Sequence, residues 1–431
     1  MRTLYNLFAY LLQIPVAAYW LFRAVGNRAY RPGLGQRFGI NYPKLDGCIW
    51  IHAVSVGEVQ AAVPLIRELA RRFANHQLLI TTVTPTGAAR VKAQFGDTVV
   101  HSYIPFEMPL AVDRFFARTK PQLALIMETE IWPNLYRGCG VRGIPLILVS
   151  ARISPRSLRG YGRVLPLFRE TLSHGIIIAA QSNADEERFR ALGVSSVRTW
   201  VIGNIKFDIE LPANLSVEGK ALRKALFGDR PVWIAASTHE NEEQQVLAAH
   251  ALLQQQFPDL LLVLVPRHPE RFREVSKLVE QHNFRHVLRS SENGCDATTG
   301  VYLVDTMGEL PLFYAASDIA FVGGSLVPIG GHNLLEPAAL GLPVICGPHV
   351  FNAQEIADMF VELGASRLVA DAAELAAAVA DFVANPDAAR AAGERGRKIV
   401  LENRGSLARL LELLEPLIGA ELRQRPATPD A

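Results

Sequence analysis

The sequence predicts an α/β protein of two Rossmann-like domains with a cleft between them, preceded by an apolar helix. Three observations lead to this fold class. The chain has 431 residues, more than one ordinary hydrophobic core uses. Short apolar runs alternate with amphipathic segments of helix length along the whole chain. The alternation pauses after residue 203 and restarts near residue 231, which indicates a second sheet.

Each apolar run is predicted to be a buried parallel strand followed by a helix. In the first domain these runs cover residues 48–54, 77–83, 123–128, 144–150 and 175–181. The segment 203–215 is predicted to be a linker. The second domain has runs at 231–237, 260–266, 301–305, 318–324 and 342–347. We therefore expect an anchor helix at 1–25, a first domain at 26–210, a second at 211–405, and a C-terminal helix and tail at 406–431.

The two ends of the chain carry their own patterns. Residues 406–422 have a period of 3.6 and are expected to form a helix that packs on the body. The tail, residues 423–431, is expected to be disordered. At the other end, the stretch from Leu4 to Phe22 has no charged residue and would reach roughly 28 Å as a helix, close to the thickness of a bilayer core.

This N-terminal stretch is expected to be an uncleaved membrane anchor that either spans the bilayer or lies at its interface. Aromatic side chains of the kind found at membrane interfaces occur along it, namely Tyr5, Tyr10, Tyr19 and Trp20. Bases follow it, which predicts that the body lies in the cytoplasm. The alternative is a buried core helix of the first domain.

Charge is unevenly distributed along the chain. The net charge is +2, but residues 1–45 contain six bases and no acid. This predicts contact with an anionic surface, such as anionic membrane lipid, at that end. Nucleic acid is not expected as a partner, because the body has no basic run. The four cysteines are far apart without a CxxC pair, so neither a zinc site nor a disulfide framework is expected.

Ligands of such sheets bind at the carboxyl ends of the strands, so the loops that follow the strands carry the functional prediction. In the first domain these loops read "HAVSVGE" (52–58), "TPTG" (84–87), "ETEIWPN" (128–134) and "SAR" (150–152). In the second they read "STHE" (237–240), "PRHPER" (266–271), "DTMGEL" (305–310) and "GGSLVPIGGHNLLE" (323–336). These polar, glycine-bearing loops offer more chemistry than a structural protein needs.

The last of these loops predicts an anion and ribose site. Gly330 and Gly331 allow close approach of a ligand to the backbone, and Asn333 is expected to cap the following helix. Glu336, one turn into that helix, could accept hydrogen bonds from a ribose diol. The alternative is an ordinary turn whose glutamate stabilises the helix dipole. Arg267 follows a buried strand and could bind phosphate, or it could be a solvated loop charge.

The "DTMGEL" loop predicts a site for a nucleotide base. Met307 offers an apolar face, and Gly308 and Glu309 offer backbone amides. The alternative is an ordinary capped start of a helix. His239 and His268 are expected to cap or pack rather than to catalyse.

Taken together and in this order, "HAVSVGE", "TTVTPTG", "METEIWPN", "SARIS", "GNIKFD", "STHE", "VPRHPERF", "DTMGEL" and "FVGGSLVPIGGHNLLEPA" resemble the 3-deoxy-D-manno-octulosonic acid (Kdo) transferases of lipopolysaccharide assembly. The resemblance covers nearly the whole chain. It implies a GT-B glycosyltransferase at the cytoplasmic face of the inner membrane, with CMP-Kdo as donor and the lipid A precursor, lipid IVA, as acceptor. It also implies inversion at the anomeric centre, with no bound metal and no other cofactor.

The same resemblance implies roles for particular residues. The residues that it implies bind the donor are Lys206, Arg267, Met307, Gly308, Glu309, Gly331, Asn333 and Glu336. The residues that it implies bind the acceptor are Arg31, Arg37, Ser55 and Gly57. Lys206 is expected at the cleft between the domains, where it would meet a carboxylate or a phosphate.

One position departs from the family. Its motif after the anchor reads Gly-Glu-Arg-aromatic-Gly, and the glutamate is taken as the catalytic base. Here the same place reads "GQRFG", with the neutral Gln36. Either Glu58, Glu128 or Glu130 serves as the base, or Gln36 only orients the hydroxyl, or the chain is a weakly active or non-catalytic homologue that binds CMP-Kdo or lipid A. A soluble nucleotide-sugar epimerase of similar two-domain form is a further alternative, which the anchor disfavours.

Overall fold

The computed structural model describes residues 2–162, 165–173 and 175–422. The tail for which disorder is expected, residues 423–431, lies outside them. The chain forms two compact units. The first runs from the N-terminus to Asp208 and takes in the chain from Arg404 onward, and the second is Ile209–Asn403. Each unit is described by itself.

The N-terminal segment is helical, as α1 (Arg2–Leu11) and α2 (Gln13–Gly26). The break between them follows from Pro15, which has no N–H to donate to the carbonyl of Leu11. Within the described residues, one helical stretch, Arg2–Gly26, is long and apolar enough to cross a membrane by length and composition. Only 6% of its most apolar window is buried. The alternative of a buried core helix is therefore wrong.

Seven parallel strands form the sheet among the described residues of the first unit, in the order β3-β2-β1-β4-β5-β6-β7. They are β1 (Cys48–His52), β2 (Gln77–Thr82), β3 (Val100–Tyr103), β4 (Pro121–Met127), β5 (Leu146–Ala151), β6 (Ile177–Ala180) and β7 (Thr199–Val201). The helices are α3 (Val56–Arg72), α4 (Pro85–Phe95), α5 (Pro109–Thr119), α6 (Pro133–Gly140), α7 (Pro155–Gly162), α8 (Leu165–Leu172) and α9 (Asn183–Ala191). Alternate side chains of β1 enter separate cores, with Ile49 and Ile51 in one and Trp50 in the other.

The second unit, all of whose residues are described, repeats this plan with the strand order β10-β11-β9-β8-β12-β13-β14, again fully parallel. Its strands are β8 (Val232–Thr238), β9 (Leu261–Pro266), β10 (His286–Leu288), β11 (Val301–Leu303), β12 (Ile319–Val322), β13 (Val344–Cys346) and β14 (Ser366–Leu368). Its helices are α10 (Leu215–Leu226), α11 (Glu243–Gln256), α12 (Phe272–Gln281), α13 (Leu310–Ala315), α14 (Leu335–Ala339), α15 (Gln354–Glu362), α16 (Ala372–Ala384) and α17 (Pro386–Asn403).

The last helix, α18 (Ser406–Leu422), covers the residues for which a helix was predicted and belongs to the first unit. Its apolar side, including Leu410 and Leu414, enters the same core as Ile49. The carboxylate of Asp208 accepts hydrogen bonds from the amides of Gly405 and Leu407, both at 2.6 Å. These bonds satisfy amides at the start of α18 that have no partner within the helix.

The predicted fold class is confirmed: both sheets are parallel and each lies among helices. Four strands were not predicted, namely β3, β7, β10 and β14, and each lies at an edge of its sheet. Their sequences, "VHSY", "TWV", "HVL" and "SRL", are short and mixed in polarity. An edge strand has a neighbour on one side only and is less enclosed, so it lacks the continuous apolar run that identifies a central strand.

Candidate functional site

Glu58 lies in the first turn of α3, the helix that follows β1. Ser55 caps α3 with its hydroxyl, and the Glu58 Oε2 atom accepts a 2.8 Å hydrogen bond from the amide of Val54. The Ser-x-x-Glu spacing favours a capping box, but Glu58 reaches one residue further back, to the amide before the cap. Burial raises the pKa of Glu58 to about 7, and the charges of Glu128 and Glu130 add to the increase. Glu58 can therefore change its protonation state near neutral pH.

Glu128 follows β4 and is held by two cations. Its carboxylate lies 2.7 Å from Lys206 Nζ and 3.3 Å from Arg152 Nε. Burial by itself would raise the pKa of Glu128, but the charges and hydrogen bonds of Lys206 and Arg152 bring it below its usual value. The carboxylate is therefore ionised at neutral pH. The predicted donor-binding residue Lys206 lies here, among the carboxylates of the first unit.

Glu130 is the third carboxylate of this group. Its Oε2 accepts a 2.9 Å hydrogen bond from the indole N–H of Trp132. Burial raises its pKa, and the charge of Glu128 contributes to the same effect. The structure thus brings the three predicted carboxylates into one electrostatic cluster, with Ser55 as a helix cap and Gly57 exposed at the start of α3.

Gln36 lies in a short 3-10 helix, Leu34–Phe38, beside the edge strand β3. Its Oε1 accepts a 2.9 Å hydrogen bond from the amide of Tyr103. The side-chain oxygen is therefore engaged by the backbone at the end of β3. A carboxylate of the same length could accept this bond too, so the contact does not depend on the amide group.

The two predicted acceptor-binding arginines have different environments. Arg37 is 2% exposed, and its guanidinium carbon lies 3.8 Å from the ring centre of Trp20 and 4.2 Å from that of Tyr103. Burial lowers its pKa to about 10, and one of its terminal nitrogens, Nη1, is buried without a hydrogen bond. Arg31 is exposed and donates from Nε to the carbonyl of Ala24 at 2.8 Å, which leaves its other nitrogens accessible.

In the second unit, Arg267 follows β9, and its amide donates to the carbonyl of Thr238 at the end of β8. Among the described residues, its guanidinium has no hydrogen-bond or ion-pair partner. Its charge acts on the pKa of Glu336, His239 and His332. Arg267 is thus a cation with no partner in the described part of the chain, and such a cation is available to an anionic ligand.

Asn333 and Glu336 lie together as predicted from the glycine-rich loop. Asn333 Oδ1 accepts from the amide of Leu335 at 3.0 Å, and its Nδ2 donates to Glu336 Oε1 at 3.0 Å. Helix α14 begins at Leu335 with Leu334 at its cap position, so Asn333, which was expected to be the cap, lies one residue before it. Gly331 has a φ of +75°, and a Cβ there would lie 3.3 Å from Val350, so the close backbone approach requires glycine.

The "DTMGEL" loop presents Met307, which is 57% exposed, next to Gly308 with a φ of +90°. The Glu309 carboxylate is held by Arg289, with its Oε1 2.8 Å from Nη2, and by the hydroxyl of Thr306. The hydrogen bond and charge of Arg289 lower the pKa of Glu309, so it is ionised at neutral pH. Glu309 thus orders this loop, while Met307 remains accessible.

Two groups in the second unit were not singled out from the sequence. Glu242 is fully buried and accepts hydrogen bonds from four backbone amides, those of His239, Gly324, Ser325 and Leu326, at 2.7–3.2 Å. It joins the loop after β8 to the glycine-rich loop after β12. The position of Glu242 among polar residues after a strand could have marked it as a candidate. Its role could not be predicted, because one donor lies three residues away and the other three lie more than eighty residues away in sequence.

The second group is a histidine pair. His239 Nε2 and His332 Nε2 lie 2.8 Å apart, with ring planes 5° from parallel. His239 was expected to cap or pack, and it does contact His268 edge-to-face at 5.2 Å. No local pattern predicts a contact across 93 positions of sequence. Among the described residues, no group of three or more His, Cys, Asp or Glu side chains is arranged to hold a metal ion.

Comparison with known proteins bears on both units. Residues 32–209 match the model of the family described as 3-deoxy-D-manno-octulosonic-acid transferase (kdotransferase). Residues 232–399 match the family of glycosyl transferases group 1. The 3-deoxy-D-manno-octulosonic acid transferase of Haemophilus influenzae is 43% identical, over 92% of this chain and 93% of that protein. The Bordetella pertussis protein of the same name is 35% identical, over 94% and 97%.

Solved structures of similar fold include a glycosyltransferase from Rickettsia africae, with a TM-score of 0.51 and 15% identity over 88% of this chain and all of that one. A UDP-N-acetylglucosamine 2-epimerase has the same TM-score and 14% identity, over 90% of this chain and 99% of that one. At such identities the likeness extends to the fold alone. Together with the two parallel sheets it shows the GT-B fold. By its sequence over more than nine-tenths of its length, the chain belongs to the family of 3-deoxy-D-manno-octulosonic acid transferases, which are glycosyltransferases.

Proposed function

We propose that this protein transfers Kdo from CMP-Kdo to lipid IVA, the tetraacylated disaccharide precursor of lipid A, with inversion at the anomeric centre. A hydroxyl oxygen of the acceptor attacks the anomeric carbon and forms the new glycosidic bond. The bond from that carbon to the phosphate oxygen breaks, and CMP leaves with the electron pair. The hydroxyl proton passes to a carboxylate of the protein.

The observation that carries this proposal is the carboxylate cluster of the first unit. A general base works best when its pKa is close to the working pH, and burial raises the pKa of Glu58 to about 7. Glu128 is engaged by Lys206 and Arg152, and Glu130 by Trp132. Glu58 is therefore the best candidate for the base, and the Lys206–Glu128–Arg152 group would position the acceptor or neutralise charge.

The donor would bind to the second unit. Arg267 has no partner among the described residues and would contact the phosphate. Glu336, with Asn333 beside it, would accept hydrogen bonds from the ribose, and the exposed Met307 would lie against the cytosine. Gly331 and Gly308 allow the backbone to approach the ligand. Glu309 would act through the shape of its loop, since Arg289 holds its carboxylate.

The acceptor is a lipid, and the N-terminal helices supply a surface for its membrane. Polar side chains of α1 face the protein: Arg2 is 2.6 Å from Glu170, and the Tyr5 hydroxyl donates to Glu107 at 2.9 Å. Large apolar side chains are exposed along both helices, including Leu4, Leu7, Phe8, Leu11, Ile14, Leu21, Phe22 and Val25. A helix with one polar face on the protein and one apolar face exposed suits the interface of a bilayer. We therefore propose an interfacial anchor at the cytoplasmic face of the inner membrane, where the exposed Arg31 can meet lipid or acceptor phosphates.

The orientation of the anchor can be tested with sealed inner-membrane vesicles and a protease-sensitive tag at the N-terminus. An interfacial anchor leaves the tag and the body on the same side, so protease added to that side cleaves both. A spanning helix protects the tag until detergent is added. Protection of the tag in vesicles whose body domain is digested would contradict the interfacial proposal.

The transfer itself is tested with the purified full-length chain in detergent, fresh CMP-Kdo and lipid IVA, with product mass as the readout. We expect a product heavier by one or more Kdo units, together with release of CMP. Absence of product and of CMP release, from protein that still binds CMP, would contradict the proposed activity.

Gln36 favours one second candidate, a homologue that binds CMP-Kdo or lipid A with little or no catalysis. Its side-chain oxygen accepts from Tyr103, so the position that carries the family's base has a structural contact here. The Gln36→Glu variant keeps that acceptor and adds a carboxylate. If Glu58 is the base, the variant changes the rate by a few-fold at most. A gain of about 10²-fold or more would place the base at position 36 and favour the second candidate.

A further inference from the structure

The segment 202–208, which carries Lys206, is held from two sides within the first unit. Its centre is a 3-10 turn, Ile205–Phe207, which lies next to α3 and α18. On one side, the hydroxyl of Ser150 in β5 accepts a 3.1 Å hydrogen bond from the amide of Ile205. A turn of three residues has too few internal hydrogen bonds to fix its own position, so contacts from outside the turn decide where Lys206 lies.

The other side of this segment is held by the start of the C-terminal helix. The two carboxylate oxygens of Asp208 accept hydrogen bonds from the amides of Gly405 and Leu407, both at 2.6 Å. Arg409 Nε donates to the carbonyl of Ile202 at 2.9 Å. The start of α18 thus contacts both ends of the segment.

The close approach of α18 to the segment depends on a glycine. Gly203 has a φ of +93°, and a Cβ at this position would collide with the side chain of Ser406. Ile202, Ile205 and Leu410 belong to one buried core. The contact is therefore both packed and hydrogen-bonded, although its two sides lie 197 positions apart in sequence.

Lys206 acts on the carboxylates of the first unit from this turn. Its Nζ lies 2.7 Å from Glu128 Oε1, while Arg152 Nε lies 3.3 Å from Oε2. Burial raises the pKa of Glu58 to about 7, and the charges of Glu128 and Glu130 add to the increase. The charge of Lys206 opposes it. Loss of Lys206 from this place removes the opposing charge and leaves Glu128 less compensated, and both changes raise the pKa of Glu58 further.

We propose that the start of the C-terminal helix is a positioning element for the reaction, in which Asp208 and Arg409 hold Lys206 against the carboxylate cluster. Both residues act through the segment 202–208 and touch neither donor nor acceptor. The inference rests on the proposed function, because it takes Glu58 as the base, and it adds the residues that fix the surroundings of that base. It also gives the last helix a role beyond packing.

The first test is the pH dependence of Kdo transfer by the full-length chain with Asp208→Asn. Asparagine offers one acceptor oxygen in place of two and sets an N–H donor against the second amide, so the start of α18 is released from the segment. We expect the rising limb of kcat/KM to move to higher pH by about one unit, with a loss of about tenfold at pH 6 and little loss at about pH 9. An unchanged limb in the folded variant would refute the proposal.

Leu414→Ala is the matched control. It shortens a buried side chain of the same helix two turns beyond Leu407 and keeps every hydrogen bond between the helix and the segment. It should lower the midpoint of urea unfolding and leave the pH limb in place. An equal pH shift in this control would assign the effect to helix stability and overturn the proposal. Arg409→Ala removes the other contact and should move the limb in the same direction, which keeps the proposal testable if Asp208→Asn does not fold.

A double-mutant cycle asks whether Asp208 acts through Lys206. Lys206→Met removes the charge and should itself move the pH limb upward. If Asp208 only positions this lysine, adding Asp208→Asn to Lys206→Met should cause no further shift. Fully additive shifts would show that Asp208 acts by another route and would refute the positioning role.

A second measurement does not depend on transfer. The Lys206 amine is paired with Glu128, and 23% of its side chain is exposed, so N-hydroxysuccinimide acetate should acylate it slowly. The exposed Lys220 on α10 is the reference within the same protein. Peptide mass spectrometry should show Lys206 acylated about tenfold faster relative to Lys220 in Asp208→Asn than in wild type, because its charge-assisted contact is lost. Equal rates would refute the proposal. Faster acylation in the variant of a protein that transfers no Kdo would refute the proposed reaction and leave the positioning role standing.

Discussion

Glu58 and Glu242 occupy similar places in the two units, since each lies at the start of the helix that follows the first strand of its sheet. Glu58 is in the first turn of α3, and Glu242 is at the cap position of α11. Glu58 accepts one close backbone hydrogen bond, from its own helix start. Glu242 accepts four, three of them from the glycine-rich loop after β12. The same residue type in the same fold position is thus available for proton transfer in one unit and committed to holding a loop in the other.

The groups that surround these two glutamates also differ between the units. Around Glu58 the first unit places two further carboxylates with Lys206 and Arg152, a set suited to an acceptor hydroxyl and its proton. Around Glu242 the second unit places Arg267 and the histidine pair, a set suited to an anion. The comparison shows that a repeated parallel sheet places a glutamate at the same point of each unit, while the number of backbone donors aimed at its carboxylate differs.

The largest expected effect is on transfer in Glu58→Gln. The amide oxygen still accepts from Val54, so the helix start is kept, but the base is lost and kcat should fall by about 10²–10⁴-fold. In the wild type the base must be ionised, so kcat/KM should rise about tenfold per pH unit up to a pH of about 7 and then level off. The control Glu68→Gln, on the same helix but paired with Arg71 and Arg72 instead of the cluster, should leave both unchanged. Full activity in Glu58→Gln would show that Glu58 is not the base, and the proposed difference from Glu242 would be lost.

The next effect is on stability in Glu242→Gln. An amide in place of the carboxylate sets N–H donors against the buried backbone amides of the glycine-rich loop, so the free energy of unfolding of the second unit should fall by about 3 kcal/mol. Urea unfolding measures this. Glu240→Gln, in the same loop but exposed, should unfold as wild type. A Glu242→Gln protein of normal stability that had lost turnover would mean that Glu242, too, is reactive.

A smaller effect is expected from Arg267→Ala, which removes the unpaired cation of the second unit. The dissociation constant for CMP should rise about 30-fold, which corresponds to about 2 kcal/mol for a charge-assisted contact. Cytidine should bind as before, because it lacks the phosphate. Arg273→Ala, an exposed arginine at the start of α12, is the control. If CMP binds equally more weakly to both variants, Arg267 contributes only to the overall positive charge and does not contact the phosphate.

The smallest effect should come from Tyr5→Phe. Glu107 in the first unit resembles Glu242, because it is buried and accepts the amides of Asn134 and Leu135 as well as the Tyr5 hydroxyl. Loss of one donor should cost about 1 kcal/mol in unfolding and leave transfer unchanged. Tyr10→Phe, an exposed position on α1, should cost nothing measurable. A large loss of transfer in Tyr5→Phe alone would show that the anchor contact serves the reaction.

Central strands and edge strands show how far pattern reasoning reaches. Every strand with neighbours on both sides was predicted from its apolar run, as in "CIWIH" and "LLVLVP". The edge strands "TWV" and "SRL" were missed, because half-enclosed backbone does not select for apolar residues. The N-terminal helix was predicted from its lack of charge. The break before Pro15 was not predicted, and the contacts of Arg2 and Tyr5 with distant residues have no local signature.

The same limit holds for the candidate site. The carboxylates and the glycine-rich loop were found because residue type and position after a strand restrict what they can do. The assignment of Lys206 to the donor could not anticipate its 2.7 Å ion pair with Glu128, because the two are 78 positions apart. Gln36 was recognised as a departure from the family, yet its bond to Tyr103 depends on how β3 lies beside the 3-10 helix.

The sequence by itself determined the fold class, the family and the set of loops that carry chemistry, because burial periodicity, glycine placement and strand–loop order are local properties of the chain. The tertiary structure decided what each charged side chain meets. Burial and the neighbouring carboxylates raise the pKa of Glu58, four amides from separate segments hold Glu242, and His239 meets His332 across two strand ends. These outcomes depend on distances between residues that are remote in sequence, because electrostatic and hydrogen-bond energies change steeply with distance.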